Sequence, residues 1–188
     1  MNTKRTTWCV IGLMLLCGCV PSLNAIYSDK DIVFLPQVLG IWQQENSTET
    51  WDFQKRDAKS YRLVYTDKQG HSGSFIAHLA DVDGTRFLDL FPEQTEDATP
   101  GFYRFHQIPI HSIYLVKETG DKVVLAAIDY EWLEKCVKDR PSEVPSATFG
   151  SRRMLTASTE QLQRLLVDNK DRFIHDFELH RQTAAAPN

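Results

Sequence analysis

Ser72-Gly73-Ser74-Phe75-Ile76-Ala77-His78-Leu79-Ala80-Asp81-Val82-Asp83-Gly84-Thr85-Arg86-Phe87-Leu88-Asp89-Leu90-Phe91 is the stretch whose reading decides the fold. Two apolar runs flank Asp83-Gly84, a pair that tolerates the positive φ needed at both centres of a type I′ hairpin turn. The turn pairs Val82 with Thr85, and further back Ala80 with Phe87, Leu79 with Leu88, His78 with Asp89, Ala77 with Leu90 and Ile76 with Phe91. Upstream, Asp67-Lys68-Gln69-Gly70 suits a type I turn with Gly70 in the left-handed position. It pairs Asp67 with His71, Leu63 with Phe75 and Tyr61 with Ala77. Both registers put Tyr61, Leu63, Phe75, Ala77, Leu79, Leu88 and Leu90 on one face. A slip of one residue in either turn would scatter that apolar set over both faces.

Working outward, segments of strand composition run over residues 40–45, 48–54, 60–66, 72–81, 85–91, 108–117 and 122–128, with short turns between most of them. Asn46-Ser47, a weaker turn signal, places Trp42 opposite Trp51. Closely spaced short strands with turn signals predict an antiparallel meander, hence a barrel or sandwich. The expected fold class is mainly β with peripheral α: a barrel or half-barrel with C-terminal helices.

Asp129 is placed as the N-cap of a helix through Asp139, carrying Trp132, Leu133 and Cys136 on one face. Pro141, Pro145 and Gly150 mark a loop, and residues 152–157 offer a possible eighth strand. Ser158-Thr159-Glu160-Gln161 is a capping box opening a helix with Leu162, Leu165 and Leu166 on one stripe. A further helical piece is expected to carry Phe173, Ile174 and Phe177. The loop from Pro92 to Gly101 is acidic, a candidate lid.

At the amino end, Lys4 and Arg5 precede an apolar run from Trp8 to Leu16. This is the charge-then-apolar pattern of an export leader, and the run is shorter than the roughly 20 residues of a membrane span. Leu16-Cys17-Gly18-Cys19 resembles the lipobox of bacterial lipoproteins. The resemblance implies diacylglycerol on Cys19, cleavage before it and a membrane anchor. The resemblance also implies the outer membrane rather than the inner, because Val20 stands after that cysteine where the family's inner-membrane members tend to have aspartate. The competing reading is an ordinary leader cut after Ala25. The expected organisation is a signal peptide over 1–18, lipidated Cys19 with a tether and lead-in over 19–37, one β-rich domain over 38–182 and a frayed tail over 183–188.

Once a leader of 18 is removed from the 188 residues, about 170 remain, enough for one domain with its own core. The net charge is -4, and loss of Lys4 and Arg5 makes the remainder more acidic. No basic stripe survives, which argues against a nucleic-acid partner. Cys136 is the only cysteine beyond Cys19, so the domain holds no internal disulfide. At helical spacing from Trp132 and Leu133 it is expected to be a packed residue rather than a nucleophile.

Gly40-Ile41-Trp42, at the head of the meander, resembles the Gly-x-Trp signature of lipocalins. The resemblance implies an eight-stranded barrel, one end closed by Trp42, with a cavity for an apolar ligand. Trp42, Trp51, Tyr61 and Phe75 are the candidate ligand-binding residues, with Tyr103 and Tyr114 as further candidate lining; core packing is the bland alternative for all of them. The ligand reading predicts an apolar cavity of roughly 300 Å³ or more.

His78 opposite Asp89 is the one polar pair on these strands, and a carboxylate beside an imidazole can fix its tautomer for base or ligand duty. An ordinary cross-strand pair on the outer face is the bland reading. His106 and His111 flank Ile108-Pro109-Ile110, but neither HExxH nor CxxC is present, so no metal or other cofactor is expected. Ser72-Gly73-Ser74 lacks a nucleophile-elbow context. Asn46-Ser47-Thr48 matches a glycosylation sequon, of little meaning beside a bacterial lipobox.

Three readings of function follow. The first is a non-enzymatic envelope lipoprotein, on the membrane through Cys19 and binding an apolar ligand or an envelope protein. The second is a protein-interaction module using the acidic loop or residues 161–166. The third is an enzyme built on His78 and Asp89.

Overall fold

A computed structural model describes residues 20–93, 107–150 and 152–182. The leader, Cys19, most of the acidic loop, Tyr103, His106 and the tail lie outside these residues. Chain order runs β1 (Val20–Ser22), β2 (Ile32–Val33), a 3-10 turn (Pro36–Val38), β3 (Gly40–Gln43), β4 (Thr50–Lys55), β5 (Tyr61–Thr66), β6 (Ser72–Val82), β7 (Thr85–Pro92), β8 (His111–Thr119) and β9 (Lys122–Ile128). There follow α1 (Tyr130–Asp139), β10 (Ser146–Phe149), β11 (Arg152–Leu155), α2 (Thr159–Asp168), a second 3-10 turn (Lys170–Arg172) and β12 (Phe173–Arg181).

The fold is mainly β: a closed eight-stranded antiparallel barrel with, among the described residues, two helices. Strands β3 to β9 form the meander; β12 then pairs with both β9 and β3 and closes the ring. Both turn-derived registers hold pair for pair, including Tyr61 with Ala77, Leu63 with Phe75 and His78 with Asp89. The cause is visible in the backbone: Asp83 and Gly84 have φ of 51° and 75°, and Gly70 has φ of 85°. Trp42 faces Trp51 as expected, with Asn46 at φ 60° in the connecting loop.

Period-two alternation sorts the side chains into two cores. Inward residues such as Leu63, Leu79, Leu88, Leu125 and Leu179 fill the barrel. Outward residues Ala80, Phe87, Ile113, Leu115 and Ile128 meet Leu133 and Val137 of α1 and Leu162 and Leu166 of α2 in a second core outside the wall. Cys136 is buried and free, with the Arg140 guanidinium donating to its Sγ at 3.1 Å. Asp129 caps α1 by accepting from the Trp132 amide, and the Ser158–Gln161 capping box opens α2.

Four sequence expectations are corrected. Residues 173–177 form part of β12, not a helix, because Phe173 packs outside the wall and Phe177 inside, an alternation that only an extended chain with a bulge near its start supplies. The expected eighth strand, 152–157, exists as β11, but it joins β10 and β1 beside the barrel instead of closing it. Residues 146–149 are strand where a loop was expected. Residues 20–37 are not a tether: Val20 pairs with Ile113, Ile32 pairs with Ala80, and Val20 and Ile26 are fully buried. The domain therefore starts at β1, well before residue 38.

One end of the barrel is closed by the turn Pro36–Val38 and by Trp42. The indole Nε1 donates to the Val38 carbonyl at 2.8 Å. Arg181 lays its guanidinium 4.2 Å from the ring centroid and donates to the carbonyls of Leu39 (2.7 Å) and Gln37 (2.6 Å). Gly40 is needed here: its φ is 124°, and a Cβ would lie 2.5 Å from Arg181 Nη1. Gly40→Ala should cost about 1–3 kcal/mol in chemical denaturation, since the strained φ and the displaced guanidinium add. A change of a few tenths would show that Arg181 is free to move.

Candidate functional site

The barrel end opposite the Trp42 plug is ringed by the connections 44–49 and 67–71 and by the end of β7, the start of β8 and the end of β9. Just inside this mouth the inward positions are aromatic. Trp51 of β4 meets Tyr65 of β5 at 5.5 Å between ring centroids, Phe177 of β12 at 5.9 Å and Tyr114 of β8 at 6.3 Å. Tyr114 and Phe177 meet each other at 5.7 Å. In the ring of eight, β4 and β8 are diametrically opposed, with three strands between them either way round. The Trp51–Tyr114 contact therefore spans the lumen and floors the mouth.

Below this floor the barrel is packed. Trp42, Tyr61, Leu63, Ala77, Leu125 and Leu179 all have 0% of their surface accessible. Walls around a void of ligand size would be open to a water-sized sphere, and these are not. The lower lumen thus lacks the deep cavity that the ligand reading expected. Tyr61 packs edge-on against Phe53 and stacks on Phe34, and its hydroxyl accepts from the Leu35 amide at 2.6 Å. Of the four candidate ligand residues, Trp42 and Tyr61 belong to the closed half. Trp51 and Phe75 lie toward the mouth, where Phe75, Tyr65 and Phe177 are half-buried. Glu49 accepts from the Tyr65 hydroxyl at 2.8 Å at the rim.

The second constellation lies outside the wall, beneath residues 22–31. Asp89 is 1% exposed. Its Oδ2 accepts from the Ile26 amide at 3.0 Å, and its Oδ1 accepts from His111 Nδ1 at 2.6 Å. His78, its register partner, turns instead to Tyr27: His78 Nδ1 and the Tyr27 hydroxyl are 2.9 Å apart, their rings 4.5 Å. Burial pushes the His78 imidazole below its ordinary value, against the opposing pull of the Asp89 charge. Burial, and then the charges of Asp89 and Asp29, push Tyr27 up to about 12. A neutral imidazole thus meets a protonated phenol, and the His78 tautomer sets which of the two donates.

The structure thus separates the expected His78–Asp89 pair and gives the carboxylate to His111. Sequence reasoning missed this because the β7–β8 connection has no tight turn from which to count a register. The ring of His111 also lies tilted against Phe91, 4.6 Å between centroids. With both oxygens of Asp89 occupied, this arrangement is a clamp that ties residues 22–31 to the barrel. More bonds complete it: Asn24 Nδ2 to the Ala157 carbonyl, Thr159 Oγ1 to the Ala25 carbonyl, and Gln163 Nε2 to the Ile26 carbonyl and Asp31 Oδ2.

Tyr65 and Phe177 are mouth residues that the sequence did not single out, the second because it was assigned to a helix. Among the described residues no group of three His, Cys, Asp or Glu could hold a metal ion. Among the same residues no helix is long and apolar enough to cross a membrane. No protein-family model matches the chain, and no curated protein and no solved structure matches it either.

Proposed function

We propose that the chain is an envelope lipoprotein, held on a membrane by acyl chains on Cys19, that binds an apolar group at the barrel mouth. The supporting observation is the aromatic floor of Trp51, Tyr65, Tyr114 and Phe177 just inside that mouth. Aromatic rings give a large, stiff apolar contact area at low entropic cost, and Tyr and Glu49 at the rim give it a polar edge. The seat is shallow, which favours a flat or terminal apolar group over a ligand swallowed whole. Chemistry of the enzymatic kind has less support, since the oxygens of Asp89 are taken by Ile26 and His111.

Titration with anilinonaphthalene sulfonate tests the seat. Saturable binding is expected, weakened about tenfold by Phe177→Ser, equivalent to about 1.4 kcal/mol. Binding that is absent, or indifferent to Phe177, defeats the small-ligand reading. A packed lower lumen also suits a second reading, a module that docks an envelope protein. Co-purification of one stoichiometric partner from membranes, with no probe binding, would favour it. Retention of Cys19→Ser in the membrane fraction would refute the lipid anchor.

A further inference from the structure

Val20 is fully buried and pairs with Ile113 in the sheet. Cys19 is joined to it by one peptide bond, and successive Cα atoms are 3.8 Å apart. If Cys19 carries the lipid, as proposed above, no spacer separates the acyl chains from the folded domain. A linker of n flexible residues would give a reach of about 5–6 Å times the square root of n. Here that reach is nearly nil, so one face of the domain must rest on the bilayer.

Register identifies that face. Strand β11 runs parallel to β1 with Leu155 beside Ser22, which brings Arg153 level with Val20. Continuing in the direction that leads from Val20 to Cys19, the next structure alongside is the tip of the β10–β11 hairpin. Phe149 pairs with Arg152 there, and Gly150 turns the chain at φ 59°. Phe149 is 48% exposed. The first turn of α1 lies at the same end: Tyr130, 42% exposed, lines one shallow cleft with Pro21, Glu134 and Arg153. Arg153 is paired with Glu134 at 2.9 Å, so the cleft presents little net charge to a headgroup layer.

We infer that the domain docks edge-on to the bilayer, with Phe149 of the hairpin tip and Tyr130 of α1 seated in the interfacial layer around the acylated Cys19. The amphipathic ring of Tyr130 suits that layer, and Phe149 adds apolar area that can be buried below the headgroups. Stepping from Ser22 back to Val20 follows β8 from His111 toward Ile113, away from the mouth. Across the ring from β9 lies β5, so the β5–β6 connection, on the far side of the barrel from β1, is left in water.

The test uses the full lipidated protein in vesicles of phosphatidylethanolamine and phosphatidylglycerol, in a Cys136→Ala background. A nitrobenzoxadiazole probe is placed at Phe149→Cys or, as control in a loop at the mouth, at Lys68→Cys. The expected result is blue-shifted emission at position 149 that is lost with nitroxide-labelled acyl chains, and water-like emission at position 68. A flexible glycine-serine spacer inserted between Cys19 and Val20 should return the 149 signal to its water-like value while the protein still floats with the vesicles. Water-like emission at both positions in protein that floats overturns the docking but leaves the anchor standing. Failure to float overturns the anchor and the docking with it.

Discussion

Trp42→Ala should lower the stability of the domain by about 3–5 kcal/mol, the range for truncating a large buried aromatic. Trp42 is fully buried at the closed end, so its removal leaves a void between the Pro36–Val38 turn and the barrel wall. Two further losses add to the cavity. The Val38 carbonyl loses its indole donor, and the Arg181 guanidinium loses the ring on which it rests. Urea denaturation followed by circular dichroism reads the shift in midpoint. Arg181→Ala is expected to cost about 1–2 kcal/mol, because a cation–π contact at a partly exposed site is worth about 0.5–1 and its two hydrogen bonds are charge-assisted. Equal costs for the two variants would mean that Arg181, not the indole, holds the plug.

Asp89→Ala should cost about 3–5 kcal/mol, as expected when one partner of a buried, hydrogen-bonded charge is deleted. The Ile26 amide and His111 Nδ1 would both be stranded in the outer core. The loss should fall first on residues 22–31, which Asp89 fastens to the wall, so the Ile26 amide should exchange with solvent much faster than the amides of β6. Uniform acceleration would mean that the segment and the barrel unfold as one unit. The clamp is also expected to weaken in acid. Folding lowers the His78 pKa from its ordinary 6.5, so the unfolded chain binds more protons as pH falls through that value. The contribution is complete above pH 6.5 and is lost on acidification toward the folded value. The groups that act on His78 are Tyr27, Asp89, His111, Asp57 and Arg56. His78→Gln should flatten the stability profile below pH 6.5; an unchanged slope would place the titration elsewhere.

Much of the barrel could be read from local chemistry. Asp83-Gly84 and Gly70 fix two hairpins because their backbones must take positive φ, and the registers then follow by counting. The caps Asp129 and Ser158 act within one helical turn, so they too are legible. The stretch of Phe173, Ile174 and Phe177 reads as helix because the start of β12 carries a bulge that breaks its alternation. Val20–Ser22 was misread because three residues carry no period, and only the waiting edge of β8 makes them a strand.

The sequence by itself determined the hairpin registers, the inward apolar face and the helix starts, since each depends on residues close along the chain. Tertiary structure alone decided three things: that β12 closes the ring, that Trp51 and Tyr114 meet across it, and that Asp89 belongs to His111 and Ile26 instead of His78. These contacts join strands separated by long connections with no turn to count from. Their geometry is set by packing the whole barrel at once, which no local pattern encodes.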